Sequence, residues 1–220
     1  MISGELQTFT MRLVDWEDEA AERARALIAY SFRKRLGAYP NLNHKRYLIV
    51  ETLFNNKSTI AACSSISFAG EQMLFSENYL SGPIQKVLAN RLEVECPRSS
   101  FCEIGSLATN PRLISSVKFI VAYFPWFAYR LGCEFALVTV TSYMREALAD
   151  AGASFEAFCK SDPKILSPNE KLRWGKYYDF DPQTGVIDLK SLDFLNQVSS
   201  RGAKKNEMLI KLGCFAGVGA

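Results

Sequence analysis

The chain has one histidine, His44, among 220 residues. A Ser-His-Asp or Cys-His machine would rest entirely on that ring, which makes nucleophilic hydrolysis a poor reading. Cysteine offers no metal site either. Cys63, Cys96, Cys102, Cys133, Cys159 and Cys214 form no C-x-x-C pair, and His44 is far in sequence from the one close pair, Cys96 and Cys102. Structural zinc needs four clustered nitrogen or sulfur ligands, so no metal and no tightly bound cofactor are expected. Cysteines scattered through apolar runs, such as Ala61-Ala62-Cys63, read as small buried hydrophobes in a reducing compartment.

Long apolar runs are missing too. The most apolar stretch, Val117 to Tyr129, contains Lys118 and Pro125 and falls short of a membrane span. Met1 to Trp16 has no apolar core behind a basic start, so no signal peptide is read there. These features predict a soluble, cytoplasmic chain without stable membrane insertion. A net charge of +3 is too small to imply nucleic-acid binding by itself, and 48% apolar with 22% charged residues argues against disorder. There is no internal repeat. Residues 1–198 read as one domain, and residues 199–220, where periodicity is lost, as a C-terminal tail.

What is present is a regular alternation of elements. Thr10–Val14 reads as a strand. Trp16–Gly37 reads as an amphipathic helix, with acids first (Glu17, Asp18, Glu19, Glu22), bases last (Arg33, Lys34, Arg35) and Gly37 as its stop. Tyr47–Phe54 and Thr59–Phe68 make a hairpin around Asn55–Ser58. A helix over Leu80–Arg91 and a strand over Phe101–Ala108 follow. Next comes a helix from Ser115/Ser116 to about Leu131, kinked or divided at Pro125. Phe135–Val140 is an apolar strand and Thr141–Gly152 a helix. Ser154–Cys159 and Tyr177–Phe180 read as terminal strands. The order predicts an α/β fold with a mixed, mostly antiparallel sheet and a central βαβ unit.

The strand–turn–helix–strand block from Cys102 to Val140 places free amides where an anionic or carbonyl-bearing donor could bind. Its layout resembles the central block of the GNAT (acyl-CoA N-acyltransferase-like) fold. That fold's pyrophosphate turn reads R/Q-x-x-G-x-G/A, whereas this one reads Arg112-Leu113-Ile114-Ser115-Ser116-Val117. Arg112 and a capping serine survive and both glycines do not, so weak binding of coenzyme A itself is expected.

A second resemblance runs through Leu74-Phe75-Ser76-Glu77-Asn78-Tyr79-Leu80-Ser81-Gly82-Pro83-Ile84, Glu103-Ile104-Gly105-Ser106-Leu107-Ala108 and Trp174-Gly175-Lys176-Tyr177-Tyr178. These are similar to the L-F-x-E-x-Y-L-x-x-P-I, E-x-G-x-L-A and W-G-x-Y-Y signatures of the thermostable hemolysin family. The fold of that family resembles the acyl-homoserine-lactone autoinducer synthases. The strand arginine of the synthases is missing after Glu103, so the homoserine-lactone reaction is not implied. The resemblance implies an acyltransferase-like enzyme. Its donor would be an acyl carrier protein, a coenzyme A thioester or an aminoacyl-tRNA, and its acceptor a small-molecule amine. A membrane-active hemolysin and a catalytically inactive GNAT-like binding module are the alternatives.

In that reading Glu103 is the base or amine anchor, and Tyr143 protonates the leaving thiolate. Ser106, Leu107, Ala108, Arg112, Ser115 and Ser116 hold the donor, while Arg33, Glu77, Tyr79, Thr139 and Thr141 hold the acceptor. Each has a plainer alternative. Glu103 can be a solvent-facing strand residue, Tyr143 a helix-face tyrosine, Glu77 and Tyr79 loop packing, and Arg33 a partner of the helix dipole.

Overall fold

The computed structural model describes residues 8–70, 73–114, 117, 120–191 and 209–212. Strand β1 (Thr8–Asp15) leads into α1 (Glu19–Leu36). Asp18 caps this helix, its Oδ1 accepting the Ala20 N–H at 2.8 Å. Gly37 closes it in the left-handed region (φ 61°) and returns its N–H to Arg33 O. Strands β2 (Arg46–Phe54) and β3 (Lys57–Phe68) meet at a two-residue turn, tighter than the expected four. Asn55 and Asn56 both take positive φ, the hairpin conformation that asparagine tolerates.

Helix α2 (Ile84–Leu92), β4 (Phe101–Thr109), α3 (Tyr123–Arg130), β5 (Phe135–Val140), α4 (Ser142–Asp150) and β6 (Phe155–Lys160) follow. The chain continues through α5 (Pro168–Arg173) and β7 (Gln183–Asp188), and β8 (Leu209–Leu212) joins the far edge. The strands form one sheet in the order β6-β7-β5-β4-β3-β2-β1-β8. Only β4–β5 and β1–β8 pair parallel; the other five pairs are antiparallel. The mixed sheet with its central βαβ unit is thus present.

Both sheet faces are covered. The alanine-rich face of α1 (Ala20, Ala21, Ala24) and Ile28 pack on Tyr47, Ile49 and Cys63. On the same side, Ile84 and Leu88 of α2 cover Phe101, Phe135 and Leu137, with the two phenylalanine rings stacked at 5.4 Å. Phe124, Phe127 and Leu148 of α3 and α4 cover Cys102, Ala136 and Val138 opposite. This is the period-2 alternation of a strand buried on both faces.

Several expectations are corrected. Pro125 neither kinks nor divides a helix: α3 begins at Tyr123, so the proline sits in its first turn, where its missing N–H is not needed. Ser115 and Ser116 lie outside the described residues. Tyr177–Phe180 is a 3-10 helix and not a strand; the strand that pairs with β5 and β6 is β7, just beyond it. Helix α5 has little apolar periodicity. It is fixed by a capping box in which Ser167 and Glu170 satisfy each other's amides. Within the segment read as tail, β8 pairs with β1, and residues 199–208 and 213–220 lie outside the described residues.

Candidate active site

Strands β4 and β5 pair only from Phe101/Phe135 to Glu103/Leu137. Beyond that point β4 follows β3 and β5 follows β7, so the two strands part. A bulge in β4 coincides with the parting. Between Cys63↔Ala108 and Ser65↔Gly105, β4 advances three residues against two on β3, and Ser106 takes φ 52°. A non-glycine residue in that region costs backbone energy that the surrounding structure must offset.

Two cavities meet at this opening. The larger, about 370 Å³, is mostly apolar; its walls include Leu107, Val121, Phe124, Val138 and Leu148, and Thr141, Tyr143 and Arg35 also line it. The smaller, about 210 Å³, lies toward Glu103, Ser76, Phe75, Tyr79, His44, Arg173 and Trp174. Ile104, Gly105, Ser106, Thr139, Phe32 and Tyr177 line both.

Glu103 anchors the smaller cavity. One carboxylate oxygen accepts the Phe75 N–H at 2.8 Å; the other accepts the Ser76 N–H at 2.9 Å and the Ser76 hydroxyl at 2.5 Å. The carboxylate therefore closes the N-terminus of the 3-10 helix Phe75–Tyr79. The Ser76 hydroxyl also meets Thr139 Oγ1 at 2.8 Å, which meets Thr184 Oγ1, which meets Ser161 Oγ, each at 2.8 Å. An ionised carboxylate only accepts, so it orients every hydroxyl in the row: Ser161 donates to Thr184, Thr184 to Thr139, and Thr139 to Ser76. Burial pushes the Glu103 carboxyl above the usual range, against the pull of the Ser76 hydroxyl and the two amides.

The wall opposite comes from the segment after α5. The Tyr39 N–H bonds to Arg173 O at 2.5 Å and the Lys176 N–H to Leu36 O at 2.8 Å, which seats Gly175 (φ 50°) directly on the end of α1. A Cβ at Gly175 would overlap the carbonyl oxygens of Leu36 and Gly37. Trp174 thereby packs beside Tyr177 (5.0 Å) and Phe75 (5.8 Å). The Tyr177 hydroxyl donates to Thr139 O at 2.8 Å. Tyr79 bonds hydroxyl to hydroxyl with Tyr178 at 2.5 Å, and burial raises its pKa.

Of the residues singled out in the sequence, Glu103 and Tyr79 line the smaller cavity, and Leu107, Ala108, Thr141 and Tyr143 the larger, with Ser106 and Thr139 between them. Three others are not brought in. Glu77 is buried and accepts the Leu74 and Ile84 amides and both terminal nitrogens of Arg98, each within 2.8 Å, so it pins the 74–84 loop. Burial alone would raise its carboxyl, but Arg98 and the amides hold it below the usual range. Arg33 is exposed at the end of α1 over the Tyr39 ring. Arg112 is exposed in the turn after β4 and lines neither cavity.

Sequence reasoning missed Ser76, Phe75, Arg173, Trp174 and Tyr177 as lining residues. The W-G-x-Y-Y signature was the available signal, but its wall exists only through docking on α1. His44, set aside for want of a triad, also lines the smaller cavity; its Nε2 lies 3.1 Å from Asn41 O, and burial lowers its pKa. Among the described residues no group of three or more His, Cys, Asp or Glu could hold a metal, and no helix is long and apolar enough to cross a membrane.

Comparison with solved structures places this architecture. The chain superimposes on a coenzyme A-dependent acyl-homoserine lactone synthase, MesI, with TM-score 0.54 and 17% identity, covering 89% of this chain and 96% of that one. FeeM, an N-acyl amino acid synthase from uncultured soil microbes, gives 0.55 and 10%, covering 83% and 91%. An agmatine N-acetyltransferase mutant gives 0.51 and 13%, covering 82% and 99%. At these identities the likeness speaks for the fold, which is that of the GNAT-like acyltransferases. A search of curated proteins finds no match. The thermostable hemolysin profile matches residues 14–192, which span β2 to β7, the helices and both cavities, and the chain belongs to the thermostable hemolysin family.

Proposed function

We propose that the chain is an N-acyltransferase that passes an acyl group from a carrier thioester to an amine. The observation that carries this reading is the meeting of two cavities at the Gly105–Ser106 bulge, where β4 and β5 part, the smaller of which is lined by the charged side chains Glu103 and Arg173. The acyl thioester occupies the larger cavity and the amine the smaller. Glu103 draws the acceptor ammonium to the junction, and Glu103 or a water takes its proton. The amine then attacks the thioester carbonyl. Backbone amides near Ser106–Ala108 hold the developing oxyanion, and Tyr143 gives its proton to the departing thiolate.

The fold neighbours support a thioester donor in general terms, since one is named as coenzyme A-dependent. The glycine-poor turn after β4 favours an acyl carrier protein over free coenzyme A thioesters. None of the neighbours described above names an aminoacyl-tRNA. The test is thiol release from acyl carrier protein and acyl coenzyme A substrates offered with an amine panel. Amine-dependent release, lowered at least tenfold by Tyr143→Phe, supports the reading. Release without amine dependence, or none from any thioester, overturns it.

A further inference from the structure

The smaller cavity carries charge of both signs, which a simple amine would not require. Glu103 sits half-buried on β4, whereas Glu170 and Arg173 are exposed on α5, so Glu103 lies deeper in the pocket and the other two at its mouth. Among the described residues the Arg173 guanidinium takes part in no ion pair or hydrogen bond. Its nearest acid in sequence on that helix, Glu170, is held by the Ser167 amide and hydroxyl. Trp174, Tyr177 and Phe75 also line the pocket, their rings packed together.

From this arrangement we infer that the acceptor is a zwitterion of the amino acid class, with its ammonium on Glu103, its carboxylate on Arg173 and an apolar or aromatic side chain against Trp174. This rests on the reading above, in which the smaller cavity holds the acceptor. Glu170 lines the pocket as well but is engaged by the Ser167 amide and hydroxyl, so a plain alkylamine would answer Glu103 and leave the Arg173 guanidinium without a carboxylate partner. An amino acid gives Glu103 and Arg173 each a counterpart, and a guanidinium holds a carboxylate in two parallel hydrogen bonds. It would also leave the ammonium pointing at the junction with the larger cavity, where the carbonyl is attacked.

Binding tests this independently of catalysis. The full chain is titrated by calorimetry with L-phenylalanine, L-phenylalaninamide and phenethylamine, which share a side chain and an amine but differ in the carboxylate. L-Phenylalanine is expected to bind at least tenfold more tightly than either of the others, and Arg173→Gln to close that gap. Arg173 is exposed and its side chain holds no other element in place, so the variant is expected to fold as the parent does. Equal binding of the three, tighter binding of phenethylamine, no binding of any, or a gap that survives Arg173→Gln overturns the inference. Failure of acyl transfer with the binding order intact would instead count against the acyltransferase reading alone.

Discussion

Glu103→Gln separates the structural duty of this carboxylate from its chemical one. Glutamine preserves the outline but replaces one oxygen with an NH₂ group. The side that meets two Ser76 donors must keep the oxygen, so the NH₂ faces the Phe75 N–H across the present 2.8 Å contact. One charge-assisted hydrogen bond is lost, and an amide that had an acceptor is left facing a donor. A hydrogen bond to a charged group contributes about 1.5–3 kcal/mol. A loss of about 2 kcal/mol lowers Tm by roughly 4–8 °C in a domain of this size. Turnover per folded molecule should fall roughly a hundredfold or more, the scale for losing a positioned base or charge. Calorimetric unfolding gives the first number, and thiol release well below the variant's Tm gives the second. Unaltered turnover per folded molecule would remove Glu103 from the chemistry and leave it as a cap of the Phe75–Tyr79 helix. An unaltered Tm would refute the hydrogen-bond accounting.

Gly175→Ala meets two carbonyl oxygens in a left-handed backbone, so the 173–178 wall must shift off α1; stability should fall by about 1–3 kcal/mol in urea titration. A variant as stable as the parent would mean the wall is not held by that contact. Glu77 has its folded pKa below its unfolded value, so its contribution to stability is complete above the unfolded value, about 4.3, and is lost as pH falls through the folded one. Arg98→Met should cost about 3–5 kcal/mol at neutral pH and start acid unfolding at a higher pH, both followed by circular dichroism; an unchanged acid limb would refute the pairing. Free coenzyme A should bind with Kd well above one micromolar, because Leu113 to Ser116 stand where a diphosphate turn has glycines. Calorimetry giving about −8 kcal/mol would overturn that.

By itself the sequence determined the local elements. The charge order and Gly37 define α1, the β-branched runs define the β2–β3 hairpin, and β4, β5 and α4 lie where their apolar patterns put them. These signals are written in neighbouring residues, so periodicity and capping chemistry suffice to read them. Elements without apolar periodicity were missed: α5 is announced only by its Ser167–Glu170 capping box, and β7 is a short strand containing Gly185 whose pairing partners lie elsewhere in the chain. The site was legible only in part. Glu103, Thr139 and Tyr143 could be named from their places at strand ends and at the start of α4. Tertiary structure alone decided that Glu77 faces Arg98 and not the pocket, that Ser76 and Trp174 enclose Glu103, and that Arg173 stands at the mouth. The reason is distance along the chain. Ser76 and Glu103 are 27 residues apart, and Ser76 and Thr139 are 63 apart. A short-range pattern carries no information about such meetings, which exist only once the sheet has brought the parting strands and the 173–178 wall together.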